Sequence, residues 1–391
     1  MRVLIGISCL LTGGTEVQTL SLVEALVAAG HEVAVACYFE WDAGMKSRYE
    51  RAGARVYLLG DKRAGGNAAR PTGALRTMRY LLRGLRRAVR DFRPDAAHVQ
   101  YMAPGAMAVM ALRLLGVKRI LATTHTAADI YPDKRLIHYL VRNVLCGFQC
   151  ITLRAERSYF ELPGGGWARG CGEREHIFDA ASERLGHGSH FTIYNSLPGN
   201  IRIADTPRSG SPLTVGVLSR LEGIKGMDLV VPAFASLKAR HPEARLIVGG
   251  DGSLREEMER QAREAGIDAE FLGRVTSDEV ESVYDRIDVL LMPSRSEGFG
   301  LTAIEGMARG CVPVVSDTGG LPEVVENDVS GLLHRAPGEE VAEEIGDIVC
   351  RLFDRPEEWR RLSAGAIRRA ARFSPEVYRH QIRALYEKVK R

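Results

Sequence analysis

The sequence predicts an α/β protein with two wound domains, each built around a parallel sheet. Short apolar segments alternate with longer amphipathic ones along most of the chain, an order typical of strands joined by crossover helices. The chain has 391 residues, which is long for one hydrophobic core and suits two domains of about 150 residues or more. A stretch at 198–212 is rich in Pro, Gly, Ser and Asp and indicates the linker between them.

The first domain is predicted to span 1–197. Its opening order of strand, polar loop, helix and strand is one wound unit, and the helix at 15–29 ends at Gly30. The segment 158–189 is the least regular part, and the sequence does not decide whether it shapes a ligand pocket or is an inserted loop. Apolar runs bounded by turn residues predict strands at 3–7, 31–37, 96–100, 120–124 and 191–195.

The second domain is predicted to span 213–372 and to repeat the same alternation. Its strands are expected at 213–218, 244–249, 269–272, 289–292 and 312–316. A last helix is expected at 373–391, because its apolar residues recur at helical spacing and form one stripe. The stripe consists of Tyr378, Ile382, Leu385, Tyr386 and Val389.

Composition narrows the functional classes. The 53 basic and 49 acidic residues give a net charge of +4, which is too small to argue for nucleic acid as a partner. The seven cysteines are scattered and odd in number, as expected for buried thiols in a reducing compartment. No segment approaches the roughly 20 apolar residues of a membrane span. We therefore expect a cytoplasmic protein, or one bound peripherally at the inner membrane face.

A metal site is not expected from the sequence. The candidate ligands that lie nearest to one another along the chain have gaps that do not match known zinc spacings. These candidates are Cys146, Cys150, His176, His187 and His190.

A basic amphipathic helix is expected at 76–93. Leucine and valine side chains lie between the arginines, so the helix has an apolar side and a cationic side. The cationic side suits either an anionic lipid surface or solvent, and a solvated surface helix is the simpler interpretation. The arginines are Arg76, Arg79, Arg83, Arg86, Arg87, Arg90 and Arg93.

Two glutamates that bracket a glycine-rich turn carry most of the chemical information. Glu297 and Glu305 lie between the apolar strand at 289–292 and a helix expected to begin near Thr302. The first amides of a helix lack partners within it and attract phosphate. Acids beside a phosphate site need another ligand, and sugar hydroxyls on each side of a diphosphate meet that need. The pattern favours a nucleotide sugar.

Structural roles for these residues are also open. Thr302 and Glu305 fit a capping box, in which the glutamate reaches back to the start of the helix. Glu297 alone would be a solvated loop acid. Thr15 and Gln18 form a similar capping pattern at the first helix.

The stretch 293–333 resembles the donor-binding block of retaining GT-B glycosyltransferases, specifically their family four. The resemblance lies in two glutamates separated by seven residues and in the later run Gly319-Gly320-Leu321-Pro322-Glu323. It implies two Rossmann-like domains that face each other across a deep cleft, with the C-terminal helix crossing back onto the first. The domain at 1–197 would bind the acceptor, and the domain at 213–372 the nucleotide sugar.

The resemblance also assigns roles to residues. In the second domain it implies that Glu297 contacts donor-sugar hydroxyls, that Glu305 holds the ribose, and that the amides of Phe299, Gly300 and Leu301 meet sugar and phosphate oxygens. Arg220 and Lys225 match the family's basic pair, and fixed cations would stabilise a departing diphosphate. We expect the base near Arg274 and Val275. In the first domain, the residues expected to contribute are Gly13, Gly14 and His125.

The expected reaction is transfer of a hexose or N-acetylhexosamine, with retention, from a nucleoside diphosphate sugar to an acceptor hydroxyl. UDP is preferred over GDP, and the acceptor is a small molecule, a glycan or a lipid-linked sugar. The sequence has no Asp-x-Asp element, so no metal or other cofactor is expected, and the leaving phosphate would take the proton. The alternatives are a non-hydrolysing sugar-nucleotide epimerase with the same fold and a non-catalytic sugar-nucleotide-binding protein.

Overall fold

The structure, a computed structural model, describes residues 1–60, 72–101, 105–127, 134–172, 174–335 and 340–390. The chain divides into two compact units, one of Met1–Ser196 with Pro375–Arg391 and the other of Leu197–Ser374. Both units are α/β with parallel sheets, so the predicted fold class is confirmed. Among the described residues, no helix is both long enough and apolar enough to cross a membrane.

The first unit is built on a parallel sheet with the strand order β3-β2-β1-β4-β5-β6-β7. The order reverses between β1 and β4, which makes this pair the topological switch point. The strands are β1 (Arg2–Ile7), β2 (Glu32–Cys37), β3 (Ala54–Leu58), β4 (Ala96–Tyr101), β5 (Arg119–Thr124), β6 (Gly147–Cys150) and β7 (His190–Thr192).

Helices cover both faces of this sheet. One face packs on α3 to α6, and the other packs on α1, α2 and α14. The stripe predicted for the C-terminal helix is buried in this second layer, where the Tyr386 hydroxyl lies 2.8 Å from Nδ1 of His98. The helices are α1 (Gly14–Ala28), α2 (Ala43–Arg51), α3 (Ala74–Phe92), α4 (Gly105–Leu114), α5 (Lys134–Asn143), α6 (Leu153–Phe160) and α14 (Pro375–Lys390).

The second unit has a parallel sheet with the order β10-β9-β8-β11-β12-β13 and a switch point between β8 and β11. Its strands are β8 (Thr214–Leu218), β9 (Arg245–Gly249), β10 (Ala269–Gly273), β11 (Val289–Met292), β12 (Val312–Ser316) and β13 (Leu332–His334). Its helices are α7 (Val230–Arg240), α8 (Arg255–Glu264), α9 (Val280–Asp285), α10 (Leu301–Ala308), α11 (Leu321–Val324), α12 (Val341–Asp354) and α13 (Pro356–Ala370). Short 3-10 turns lie at Gly223–Lys225, Met227–Leu229 and Ala371–Phe373.

The segment 198–212, predicted as the linker, forms part of the second unit. Arg208 anchors it, since its guanidinium donates to the Tyr284 carbonyl at 2.6 Å and to the Asp288 carboxylate at 3.2 Å. The Pro- and Gly-rich composition therefore marks coil that packs on this unit and is not a free tether.

Candidate active site

The candidate site of the second unit lies at the carboxyl edge of its sheet, beside the switch point. β8 and β11 are neighbouring parallel strands, and the loops that follow them carry Lys225 and Glu297. Ligands of open α/β sheets bind in the crevice outside such a pair of strand ends. Two of the residues predicted from sequence are therefore placed together by topology alone.

Lys225 and Glu297 form a direct ion pair. The Lys225 ammonium donates to Oε2 of Glu297 at 2.7 Å, and the side chains are only 18% and 16% exposed. The other carboxylate oxygen of Glu297 accepts from the amide of Gly298 at 3.1 Å. Each charge thus keeps the other satisfied in a largely desolvated place.

Backbone contacts fix the position of this pair. The Ile224 carbonyl, next to Lys225, accepts from the amides of Arg295 and Ser296 at 3.0 and 3.3 Å. Arg295 also binds both carboxylate oxygens of Asp228, at 2.6 and 2.7 Å. The Arg295–Asp228 pair is not predictable from the sequence, because the partners are 67 residues apart and no local pattern links them.

Two glycines are required by the backbone around the pair. Gly226 has φ +67°, and a Cβ there would lie 1.9 Å from the Pro293 carbonyl oxygen. Gly319 has φ +54°, and a Cβ there would lie 1.6 Å from the Glu297 carbonyl oxygen. Both positions exclude any other residue without a backbone shift. The Gly-Gly run of the sequence therefore supports the loop that carries Glu297.

The glycine-rich turn after Glu297 leads directly into α10. Gly300 is the left-handed residue before the helix, which begins at Leu301. Phe299 is buried and its ring meets Phe373 edge-on, with the centroids 5.7 Å apart. This packing fixes the turn, so that the first amides of α10 lie next to the loop of Glu297.

Glu305 does not form the capping box that its spacing suggested. The helix starts one residue before Thr302, and its N-cap, Gly300, has no side chain to take part. Glu305 instead accepts a hydrogen bond from the Tyr284 hydroxyl at 2.7 Å. The capping interpretation is therefore wrong, and the sequence missed Tyr284 as the partner because it lies on a different helix, α9.

Burial changes the pKa of the Glu305 carboxyl group markedly. Desolvation raises its pKa to about 7, and the hydrogen bond from Tyr284 offsets part of that effect. Burial also raises the pKa of Tyr284 well above its ordinary value, so this phenol stays a donor. Glu305 is thus a carboxyl group whose charge changes near neutral pH.

The remaining predicted residues of this unit lie on exposed loops. Arg220 follows β8 and is exposed, and Arg274 follows β10 with Nε 3.6 Å from a carboxylate oxygen of Asp251. Val275 is half-buried beside Gly249. Among the hydrogen bonds of the described residues, none joins Arg220 or Arg274 to the Lys225–Glu297 pair.

A loop that the sequence analysis did not single out supports the turn of Arg220. It follows β9 and includes Asp251, whose carbonyl accepts from the Leu221 amide at 3.0 Å. Ser253 in the same loop donates its hydroxyl to Glu222 at 2.6 Å. The signal that could have found this loop is its run of glycines at the end of β9 and directly after it, at Gly249, Gly250 and Gly252.

In the first unit, His125 lies just beyond β5 and is buried. Its Nε2 lies 2.7 Å from Oε1 of Gln100 on β4, which assigns the proton to Nε2 and leaves Nδ1 as an acceptor. Burial lowers its pKa to about 4. His125 is therefore a neutral group near pH 7.

The glycine loop of the first unit precedes α1. Gly13 is the N-cap and has extended backbone, with φ −161°. The capping pattern of Thr15 and Gln18 is not used, because Gln18 binds the backbone of Ser196 at 2.5 and 2.8 Å. The roles assigned by resemblance to Gly13, Gly14 and His125 stay predictions.

Family comparisons agree with this architecture. Residues 202–369 match the family described as glycosyl transferases group 1, and residues 13–158 match the glycosyl transferase 4-like domain. The chain belongs to the group 1 glycosyltransferases. As a likeness of fold, this chain superposes on HepE of Anabaena, solved with UDP and glucose, with a TM-score of 0.74 and 17% identity over 99% of both chains. The expected GT-B fold is confirmed.

Two sequence relatives bear on its chemistry. This chain is 36% identical over 212 residues to a D-inositol 3-phosphate glycosyltransferase of Saccharomonospora viridis, covering 51% of this chain and 48% of the relative. It is 29% identical over 244 residues to a GDP-mannose-dependent phosphatidylinositol monomannoside mannosyltransferase of Mycobacterium tuberculosis, covering 59% and 60%. The match thus spans about half the length of these relatives.

Proposed function

We propose that this protein transfers a hexose or N-acetylhexosamine from a nucleoside diphosphate sugar to an acceptor hydroxyl, with retention of anomeric configuration. The observation that carries the proposal is the Lys225–Glu297 pair at the switch point of the second unit, 2.7 Å apart. It combines a cation for the diphosphate with an acceptor for sugar hydroxyls. Membership of the group 1 family supports the same reaction class.

Donor binding would exchange the contacts of this pair. Lys225 would turn its ammonium from Glu297 to the diphosphate, and Glu297 would accept from hydroxyls of the sugar. A cation held next to the leaving group stabilises charge that grows as the sugar bond breaks, so it favours the transition state over the ground state. Arg220, on the loop after β8, would add a second cation.

The ribose would bind at Glu305. An ionised carboxylate accepts hydrogen bonds from both ribose hydroxyls, and the bond from Tyr284 holds the carboxylate in place at 2.7 Å. The first amides of α10 would meet phosphate and sugar oxygens. The base would lie near Arg274 and Val275.

We propose UDP as the preferred nucleotide. The UDP complexes of the Anabaena neighbour support it, whereas the GDP-mannose dependence of the mycobacterial relative favours the alternative. The acceptors named for the relatives, an inositol phosphate and a phosphatidylinositol mannoside, define the first ones to test. The leaving phosphate would take the acceptor proton, so no protein nucleophile and no metal ion are required.

The test is a donor and acceptor matrix. UDP-glucose, UDP-N-acetylglucosamine and GDP-mannose are each incubated with no acceptor, with inositol phosphate and with a phosphatidylinositol mannoside, and the products are resolved by NMR. We expect acceptor-dependent nucleotide release and a product with the anomeric configuration of the donor. Altered sugar without acceptor would identify an epimerase. Tight donor binding with no product in a screen widened to cell lipid and glycan extracts would identify a binding protein.

A peripheral membrane contact through α3 is part of the proposal. The arginines of α3 are exposed along one side, and Leu81 and Leu85 are buried on the other. Ion pairs join Arg87 and Arg90 to Asp91 at 3.7 and 3.4 Å. Such a side attracts anionic lipid at about 1 kcal/mol for each arginine near the surface.

A further inference from the structure

Three side chains of the first unit converge at the end of its sheet. Glu156 lies on α6, His190 lies on the edge strand β7, and His176 lies in the irregular segment 161–189 that joins them. One ligand-type atom from each lies within 4.8 Å of the others. Glu156 and His190 are buried, and the His176 side chain is 34% exposed. None of these three residues is among the candidate active-site residues described above.

The two imidazole rings are oriented alike. Nε2 of His190 is bonded to the Cys171 carbonyl, and Nε2 of His176 lies 2.7 Å from a carboxylate oxygen of Glu183. Both partners are acceptors, so each Nε2 carries a hydrogen, and in the neutral ring each Nδ1 then has a free lone pair. The two Nδ1 atoms face the same oxygen of Glu156, at 2.6 Å from His190 and 3.7 Å from His176.

With both rings neutral, this arrangement places three acceptors together, because Nδ1 of either ring is a donor only when that ring is protonated. The Arg174 carbonyl, 3.5 Å from Nδ1 of His176, is a fourth acceptor. A buried carboxylate facing two imidazole lone pairs needs a shared proton or a cation. Histidine ligands of metal ions commonly donate the other ring N–H to a carboxylate or a backbone carbonyl, and both histidines here do so.

The surroundings hold these groups in place before any ion binds. The His190 ring lies between Phe160 and Trp167, parallel to both, with centroids 4.1 and 5.8 Å away. Thr192 donates to the second carboxylate oxygen of Glu156 at 2.6 Å. A Cβ on Gly172 would lie 2.5 Å from Nε2 of His190, so the chain passes this ring closely.

We propose that this cluster binds a divalent transition-metal ion, with zinc as the expected ion, through Nδ1 of His176, Nδ1 of His190 and the carboxylate of Glu156. Two imidazoles and a carboxylate are a zinc ligand set, whereas magnesium and calcium prefer oxygen ligands. Tetrahedral zinc with bonds of about 2.0–2.1 Å separates its ligand atoms by about 3.3 Å. The observed distances of 2.6 and 3.7 Å bracket that value. Water would fill the fourth position on the exposed side of His176.

The ion would fasten the irregular segment to the sheet edge. Between α6 and β7 the described chain forms only isolated bridges, which pair Glu161 with Trp167 and Ile177 with Thr192. Long segments without regular structure are uncommon in compact domains and need such an anchor or a function. The ion would tie α6, this segment and β7 together, so the role is structural and independent of sugar transfer.

The sequence spacing pointed away from this site for a clear reason. Of the five residues considered there, His187 bonds to the Leu145 carbonyl at 3.2 Å and Cys146 to the Ile120 carbonyl at 3.3 Å. The third ligand is Glu156, a carboxylate 20 residues from His176 that no cysteine and histidine pattern includes.

The test measures metal in tag-free, full-length protein. The protein is stripped with a chelator, incubated with Zn²⁺ or Co²⁺, desalted and assayed by elemental analysis and thermal melting. We expect about one Zn²⁺ per chain, a higher melting temperature with Zn²⁺ than without it, and a Co²⁺ absorption spectrum typical of tetrahedral nitrogen and oxygen ligands.

Two variants separate the site from adventitious binding. His176→Gln removes the most exposed ligand and should reduce bound Zn²⁺ at least tenfold, while His187→Gln, in the same segment, should keep it. Wild-type protein that retains no stoichiometric Zn²⁺, or a His176→Gln variant that retains as much as His187→Gln, would overturn the proposal. The first result would assign the cluster to a shared proton.

Discussion

The candidate-site glycines of the two units differ in what their own backbone demands. In the second unit, Gly226 and Gly319 have left-handed φ values, and any Cβ would collide with a carbonyl oxygen at 1.9 or 1.6 Å. In the first unit, Gly13 has extended backbone that any residue adopts. A Cβ there would meet only the flexible carboxylate end of Glu16, at 2.5 Å. The fold explains the first two glycines, whereas Gly13 needs another reason, such as close approach of a ligand.

The predicted site residues of the two units also differ in their charge. The second unit presents an ion pair, Lys225 with Glu297, and a carboxyl group, Glu305, that titrates near pH 7. The first unit presents His125, whose pKa burial lowers to about 4. Among the predicted site residues, the charged side chains thus lie in the second unit, and His125 can contribute only as a neutral hydrogen-bonding group.

The largest effect is expected from Lys225→Ala. Loss of one charged hydrogen bond costs about 1.5–3 kcal/mol, so kcat/KM should fall about tenfold to hundredfold. Initial rates at limiting donor would measure kcat/KM, and isothermal titration calorimetry would measure the binding of the nucleoside diphosphate. Lys238→Ala is the matched control, because Lys238 binds the carbonyls of Pro242 and Ala244 in the same unit and should leave turnover unchanged.

A double-mutant cycle sharpens this test. Lys225→Ala leaves Glu297 without its cationic partner in a desolvated place, so part of its effect is lost stability. Removing both side chains should restore the melting temperature but not the turnover. Wild-type rates in the Lys225→Ala variant would remove the basis of the proposed donor site.

The next effect is a pH dependence of donor binding through Glu305. With a pKa of about 7, the ionised fraction falls from about nine-tenths at pH 8 to about one-tenth at pH 6. Because the ribose hydroxyls need an ionised acceptor, the donor KM should rise about tenfold over that fall in pH. Rates across a pH series at several donor concentrations provide the measurement.

Two variants locate this titration. Tyr284→Phe removes a hydrogen bond that lowers the pKa of Glu305, so the midpoint should move to higher pH. Glu305→Gln should give a weak but pH-independent KM. If the donor KM of the Glu305→Gln variant still changes with pH at the wild-type midpoint, another group is responsible for the titration.

These residues also show how far sequence alone could lead. The strands and the loops after them could be predicted, because apolar runs and glycines are local signals. Tyr284 and Arg295 could not, since their partners, Glu305 and Asp228, are set by packing between separate elements. The capping box of Thr302 failed for a local reason, because a left-handed glycine starts the helix one residue earlier.

Gly13→Ala and Gly319→Ala test the difference between the glycines directly. Gly13→Ala should lower the melting temperature less than Gly319→Ala does, because only an N-cap preference is lost. It should lower kcat/KM about threefold to tenfold, as expected for one weakened hydrogen bond to a ligand. Gly319→Ala should lower the melting temperature by several degrees, because strain of about 1–2 kcal/mol or more is added. Equal melting temperatures for the two variants would show that the backbone account of Gly319 is wrong.

The smallest effect is expected from a substitution on α3. The matched substitution on α8 compares a charged helix of the first unit with one of the second. In α8 of the second unit, Arg260 pairs with Glu257 and Glu264, both at 2.6 Å, so its charge is neutralised locally. In α3, Asp91 is the one acidic residue among the arginines of 74–92. Arg83→Gln should therefore weaken binding to phosphatidylglycerol vesicles about fivefold, from about 1 kcal/mol, whereas Arg260→Gln should not. If both variants bind phosphatidylglycerol vesicles equally well, α3 is a solvated surface helix. The same conclusion follows if the wild-type protein binds neutral vesicles as well as phosphatidylglycerol vesicles.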